Sequence, residues 1–157
     1  LLIGGNLGDR LGNLKNATKE IELHCGKILS SSAIYETAAW GFTEQLPFFN
    51  QALQVETALS ASELMQQLLT IELSLGRERL LPLGPRSIDM DIIYFNSEII
   101  QSEIVTIPHP RMEQRNFVLI PLNEIAPNYI HPILNLPTST LLKQCKDESH
   151  VYKKTID

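Results

Sequence analysis

The 157 residues carry 43% hydrophobic and 20% charged side chains with a formal net charge of −5, the balance of one ordinary soluble domain with a sizeable core. An acidic chain argues against a general binder of nucleic-acid backbone, while leaving room for a local basic pocket. No apolar run approaches the roughly 20 residues of a membrane span and no signal peptide is visible. Cys25 and Cys145 form neither a redox nor a zinc motif, so free thiols in a reducing, cytoplasmic setting are expected.

Leu1–Gly5 reads as the end of a buried strand broken by Gly4-Gly5. It opens inside an apolar run, so at least an initiator Met is expected upstream. Asp9 caps a predicted helix to about Cys25, with Leu11, Leu14, Ala17 and Ile21 at helical spacing and Gly26 as its stop. Lys27–Tyr35 is a predicted strand and Thr37–Pro47 a loop. Phe48–Thr57 alternates cleanly, with Phe49, Leu53 and Val55 on one parity and Phe48, Asn50 and Ala52 on the other. Ser60-Ala61-Ser62-Glu63 is a capping box that opens a second helix, ended by Gly76. Arg77–Pro85 is a loop, and Ser87–Phe95 is a fourth strand, again alternating.

The order β-α-β-β-α-β predicts an α+β, ferredoxin-like core with helices on one face of an antiparallel sheet. Beyond it, Ile104–Ile107 is a candidate strand. Arg111–Asn123 is a helix despite Pro121, and Thr138–Lys146 a last short helix. These make a C-terminal accessory layer on a single domain spanning residues 1–157.

Gly84-Pro85-Arg86-Ser87-Ile88-Asp89-Met90-Asp91-Ile92 is the most informative stretch. On a strand, Asp89 and Asp91 project from one face, roughly 7 Å apart at Cα. Their repulsion, roughly 3 kcal/mol at an effective dielectric near 20, becomes attraction around Mg²⁺, which accepts one or two carboxylates beside waters and phosphates. A half-buried strand with two acids on its wet face is the competing reading. The loop before it carries Arg77, Arg79 and Arg86 around Leu80-Leu81-Pro82-Leu83-Gly84. A lid delivering arginines to phosphates explains both the charges and the stranded leucines; a loop packed on the core is the alternative. Gly4-Gly5-Asn6-Leu7-Gly8, between strand and helix, could offer backbone N–H groups to an anion, but it fits no phosphate-loop pattern and a tight turn is the favoured reading.

On Leu2–Arg10, Gly84–Ile92 and Pro108–Pro127 the chain resembles the 6-hydroxymethyl-7,8-dihydropterin pyrophosphokinases of the folate pathway. The resemblance implies a ferredoxin-like core and transfer of pyrophosphate from MgATP to the pterin hydroxymethyl group, with release of AMP. It implies Asp89 and Asp91 as ligands of two Mg²⁺ ions, and Arg77 and Arg86 as catalytic-loop arginines with Arg79 in the same loop. Glu72, Ile92, Thr106, His109 and Arg115 fall at nucleotide positions. Thr37, Trp40, Phe48, Asn50 and Phe117 fall at pterin positions. Two rings for stacking and an amide for the edge suit a flat heteroaromatic substrate. Gly5, Leu69, Leu83 and Ile104 depart from residues common in that family, and Phe48 replaces a ring that can be Tyr. The partners expected are small molecules alone, with neither nucleic acid nor membrane, on a monomer or weak dimer. An RNA-binding module of the same fold would need stacking rings and a basic surface where this chain has Asp89 and Asp91.

Overall fold

The computed structural model describes residues 1–38, 45–76 and 86–155. Trp40, Arg77, Arg79 and the leucines of the expected lid lie outside the described residues, and so does the question of loop closure.

Strand β1 (Leu2–Gly5) is buried along its whole length. Helix α1 (Arg10–His24) starts where expected, with Asp9 Oδ1 accepting the Gly12 N–H at 3.0 Å. Gly26 does not end it by a left-handed turn. A Cβ there would overlap the Glu56 carbonyl, so the glycine is required by close approach to the neighbouring strand. Helix α2 (Ala61–Ser74) has the reciprocal capping box, Glu63 N–H to Ser60 Oγ at 3.1 Å and Ser60 N–H to Glu63 Oε1 at 3.2 Å. Gly76 follows it at φ +84°, a conformation that suits glycine.

The single strand expected over 27–35 is two strands, β2 (Lys27–Ser31) and β3 (Tyr35–Thr37). Both pair antiparallel with the long β4 (Phe48–Glu56), β3 along Phe48–Asn50 and β2 along Leu53–Glu56. Between them Ser32 leaves the regular ladder, and its Oγ accepts the Ala52 N–H at 2.9 Å. A serine hydroxyl thus replaces a backbone carbonyl where the chain kinks. The strand expected over 87–95 keeps regular pairing only at β5 (Asp89–Asp91), against β1.

The main sheet runs β5-β1-β4-β3, with β2 also on β4, and every pair is antiparallel. This is the ferredoxin-like arrangement, with β2 and β3 together filling the place of one strand. Helices α1 and α2 cover one face through Ile3, Leu14, Ile21, Phe49, Leu53, Leu64, Leu68, Ile88 and Met90. The second face is covered by α3 (Asn116–Ile125) and α4 (Thr138–Gln144), packed on Leu2, Ala52 and Ile93. The accessory layer therefore lies opposite the core helices. Short strands β6 (Ile100–Gln101) and β7 (Thr106–Ile107) pair beside the sheet. Arg111 takes φ +64° and a 3-10 turn, Met112–Gln114, precedes α3, so the expected helix begins later than its apolar pattern suggests.

A last strand, β8 (Val151–Lys153), extends the sheet beyond β3. It is short and largely exposed, and three residues are too few to signal a strand although Val151 and Tyr152 favour one.

Candidate active site

Residues directly opposite in adjacent strands share a sheet face. Gly4 is opposite Asp89 on one side and Asn50 on the other, and Leu2 is opposite Asp91 and Ala52. Two cross-strand rows therefore form the floor of a pocket on the second face, at the end of the sheet that α3 and α4 leave open. Gly4 is the low point. A Cβ there would overlap Asn50 Oδ1, so the amide of Asn50 lies across the bare glycine. Thr37, Ala38, Phe48, Arg86 and Phe117 complete the walls.

The alternation read from 88–92 holds. Ile88, Met90 and Ile92 are buried against the helices, while the Asp89 and Asp91 side chains are 28% and 37% exposed on the pocket side. Arg86 Nε lies 3.5 Å from Asp89 Oδ2, and its guanidinium is 5.1 Å from the Phe48 ring centroid. That buried Nε makes no hydrogen bond among the described residues. His109, after the cis Ile107–Pro108 bond, has Nε2 3.9 Å from Asp91 Oδ1. Its Nδ1 lies 3.1 Å from Pro110 O, and burial pushes its pKa down.

Of the expected nucleotide residues, His109 and Arg115 stand close to the aspartates; Arg115 feels the charge of Asp91 and its guanidinium is 5.8 Å from the Phe117 centroid. Glu72 is placed differently. Its buried Oε2 accepts the Met90 N–H at 2.7 Å, pinning the backbone between the two aspartates from the helix side. Ile92 is core, and Thr106 sits half-buried on β7. The expected pterin residues Thr37, Phe48, Asn50 and Phe117 all meet in the pocket with Asp89, Asp91 and Arg86.

Sequence reasoning missed the residues that hold these segments together. Asn6, 1% exposed, donates from Nδ2 to Gln45 Oε1 and to Leu46 O, both at 2.8 Å, and accepts the Arg86 N–H at 3.0 Å. Its own N–H and that of Leu7 return to Arg86 O. One amide thereby ties the β1–α1 turn to the segments leading into Phe48 and Asp89. Asn13 Nδ2 adds bonds to Leu7 O and Ser87 O. Arg10 Nη1 reaches Glu36 Oε2 and Pro47 O, each at 2.9 Å. The available signal was a lone amide within a glycine-rich turn that otherwise reads as structural.

Among the described residues no group of three or more His, Cys, Asp or Glu could cage a metal, and no helix is long and apolar enough to cross a membrane. The donors do fit Mg²⁺: two half-exposed carboxylates on one face, with the remaining positions left for water and substrate phosphates.

Residues 1–127 match the family profile 7,8-dihydro-6-hydroxymethylpterin-pyrophosphokinase (HPPK). The folic acid synthesis protein FOL1 of Dictyostelium discoideum is 43% identical over 141 residues, 90% of this chain but only 21% of that protein. The 2-amino-4-hydroxy-6-hydroxymethyldihydropteridine pyrophosphokinase of Aquifex aeolicus is 39% identical over 149 residues, covering 94% of this chain and 89% of that one. Among solved structures, a Plasmodium falciparum HPPK-DHPS superposes with a TM-score of 0.70 at 18% identity, over 91% of this chain and 42% of that one, a likeness of fold. The chain thus belongs to the 7,8-dihydro-6-hydroxymethylpterin-pyrophosphokinase family.

Proposed function

We propose that this chain, as one domain over residues 1–157, transfers pyrophosphate from MgATP to the hydroxymethyl group of 6-hydroxymethyl-7,8-dihydropterin. The observation that carries the reading is the shared pocket: Phe48, Phe117, Asn50 and Thr37 line a slot that ends at Asp89 and Asp91. Phe48 and Phe117 stack on the ring, and the Asn50 amide reads its edge. The primary alcohol then points at the carboxylate pair.

The reaction is an in-line displacement at the β-phosphorus. The alcohol oxygen forms a bond to that phosphorus, the bond from the β-phosphorus to the α–β bridging oxygen breaks, and AMP leaves with the electron pair. Chemistry of this kind is mostly positioning and charge stabilisation. Asp89 and Asp91 would hold two Mg²⁺ ions, whose contribution is to polarise the phosphates and lower the pKa of the alcohol. Asp89 is the nearest candidate to receive the proton. Arg86, its Nε already turned to Asp89, neutralises charge on the bridging oxygen. Arg77 shares that role by its place in the family pattern, and Arg79 belongs to the same loop. His109, Arg115, Thr106 and the Ile92 backbone border the nucleotide, with Glu72 behind β5; Trp40 belongs to the pterin set by its place in the family pattern. The chain acts in the cytoplasm as a monomer or weak dimer on small molecules alone.

A coupled assay tests this reading. AMP should form from MgATP only when hydroxymethyl-dihydropterin is present. AMP release independent of the pterin would assign the pocket to another nucleotide reaction.

A further inference from the structure

The family profile ends at residue 127, yet the chain beyond it returns to both walls of the pocket. Asp147 is the point of return. Its Oδ2 accepts the Asn116 N–H at 2.9 Å, capping the first residue of α3, and its backbone carbonyl accepts Asn116 Nδ2 at 2.7 Å. Its Oδ1 accepts the Ser149 N–H at 2.9 Å, which turns the chain toward β8. Asn116 stands between Arg115 and Phe117, so the side chain that holds it sets where both neighbours leave the helix start. Asp147 also acts on Arg115 through its charge. Burial works against its ionisation, but the Ser149 and Asn116 bonds and Arg115 hold its carboxyl below the usual range.

The other wall is held by the same segment. Val151 pairs with Thr37, Tyr152 with Glu36 and Lys153 with Tyr35. Thr37 Oγ1 donates to His150 O at 3.3 Å, and the Lys154 N–H to Ile34 O at 2.7 Å. Phe117 and Thr37 come from elements that do not pair with each other in the sheet. Residues 147–154 bridge them, hydrogen-bonded to Asn116 at one end and paired with β3 at the other.

We infer that the segment Asp147–Lys154 sets the width of the ring-binding slot, with Asp147 as a positioning residue for Phe117 and Arg115. The inference rests on the pyrophosphokinase reading and deepens it by naming what fixes the pterin walls. Removing the cap lets the start of α3 shift, which misplaces a ring and a guanidinium together while leaving Asp89 and Asp91 on their strand.

The experiment compares Asp147→Ala, Asp147→Asn and the exposed neighbour Glu148→Ala, assayed well below the melting temperature of each. Asp147→Ala should raise KM for both pterin and MgATP by about tenfold, with kcat changed by less than about threefold, because positioning is lost and the metal centre is kept. Asp147→Asn keeps an acceptor oxygen and should fall between Asp147→Ala and wild type, while Glu148→Ala should match wild type. A purely structural role would lower Tm and leave both KM values alone; KM values within twofold of wild type in Asp147→Ala overturn the inference. If Asp147→Ala does not fold, Asp147→Asn decides by the same twofold limit. Wild-type protein that releases no pterin-dependent AMP sinks the functional reading itself, whereas an active wild type with unmoved Asp147 variants sinks this inference alone.

Discussion

The floor and the walls of the pocket are built by different physics. Gly4, Asn50, Asp89 and Asp91 lie on paired strands whose opposite faces are packed against α1 and α2. Their positions follow from the ladder and from a well-filled core, so one side chain can be changed without moving its neighbours. Phe48, Arg86, Phe117 and Thr37 stand at the ends of elements, and a few polar bonds from Asn6, Arg10 and Asp147 set where they point. The floor is suited to chemistry, which needs fixed charge, and the walls to binding. A substitution on the floor should therefore act on turnover with the fold intact. Loss of a wall ring, or of Asp147 that positions one, should act mainly on affinity, whereas Arg86 beside Asp89 should act on turnover and Asn6, which joins two segments, on both.

The largest effect belongs to the floor. Asp89→Ala or Asp91→Ala should keep the circular-dichroism spectrum and lower turnover by at least about 10³-fold, since each removes half of the carboxylate pair. Near-native turnover at saturating Mg²⁺ in either variant would refute the metal assignment and erase the contrast between floor and walls.

Asn6→Ala should come next. It removes three part-buried bonds at once and leaves the Leu46 carbonyl and the Arg86 N–H without that partner. Turnover should fall by about 10²-fold and KM for both substrates should rise, as expected when a supporting contact misplaces reacting groups by about 1 Å. If kinetics were unchanged and only Tm fell, Asn6 would be scaffolding and the coupling of the two segments would carry no function.

A wall variant sharpens the comparison from the other side. Phe48→Ala removes one stacking ring and the surface on which Arg86 rests. The expected result is about a tenfold rise in KM for the pterin with little change in KM for MgATP, the signature of lost ring binding. A loss confined to kcat would move Phe48 from the wall to the reacting centre.

The smallest effect lies away from the pocket. His131 is buried, and its Nδ1 accepts the Ile133 and Leu134 N–H groups at 3.2 and 3.1 Å. Burial pushes its pKa below 6.5 in the fold. The unfolded chain then takes up the proton first, so this contribution to stability is complete above about pH 6.5 and is lost as pH falls from there toward the folded pKa. Tm should drop by about 2 °C between pH 7.5 and 5.5 more in wild type than in His131→Phe. Equal pH dependence in the two proteins would remove His131 as the titrating group, and activity ratios should be unaffected in either case.

Local sequence determined what depends on period, cap and nearest neighbour. The alternation at 88–92 placed the aspartates opposite a buried row because successive strand residues must face opposite sides. Asp9, the Ser60–Glu63 box and Gly76 marked helix ends because capping is satisfied within a few residues. The family resemblance assigned Thr37, Phe48, Asn50 and Phe117 to one substrate, and all four line one pocket. Tertiary structure alone decided the rest. The 27–37 segment splits because two short strands share one nine-residue partner, which no local pattern encodes. Strand β8 forms where β3 offers an edge to pair with, a partner that its own three residues cannot specify. Glu72 bonds the β5 backbone, and Asn6 and Asp147 hold the walls, through contacts spanning 18, 80 and 31 residues. Such partners lie within hydrogen-bonding distance only once the core has brought their strands and helices together.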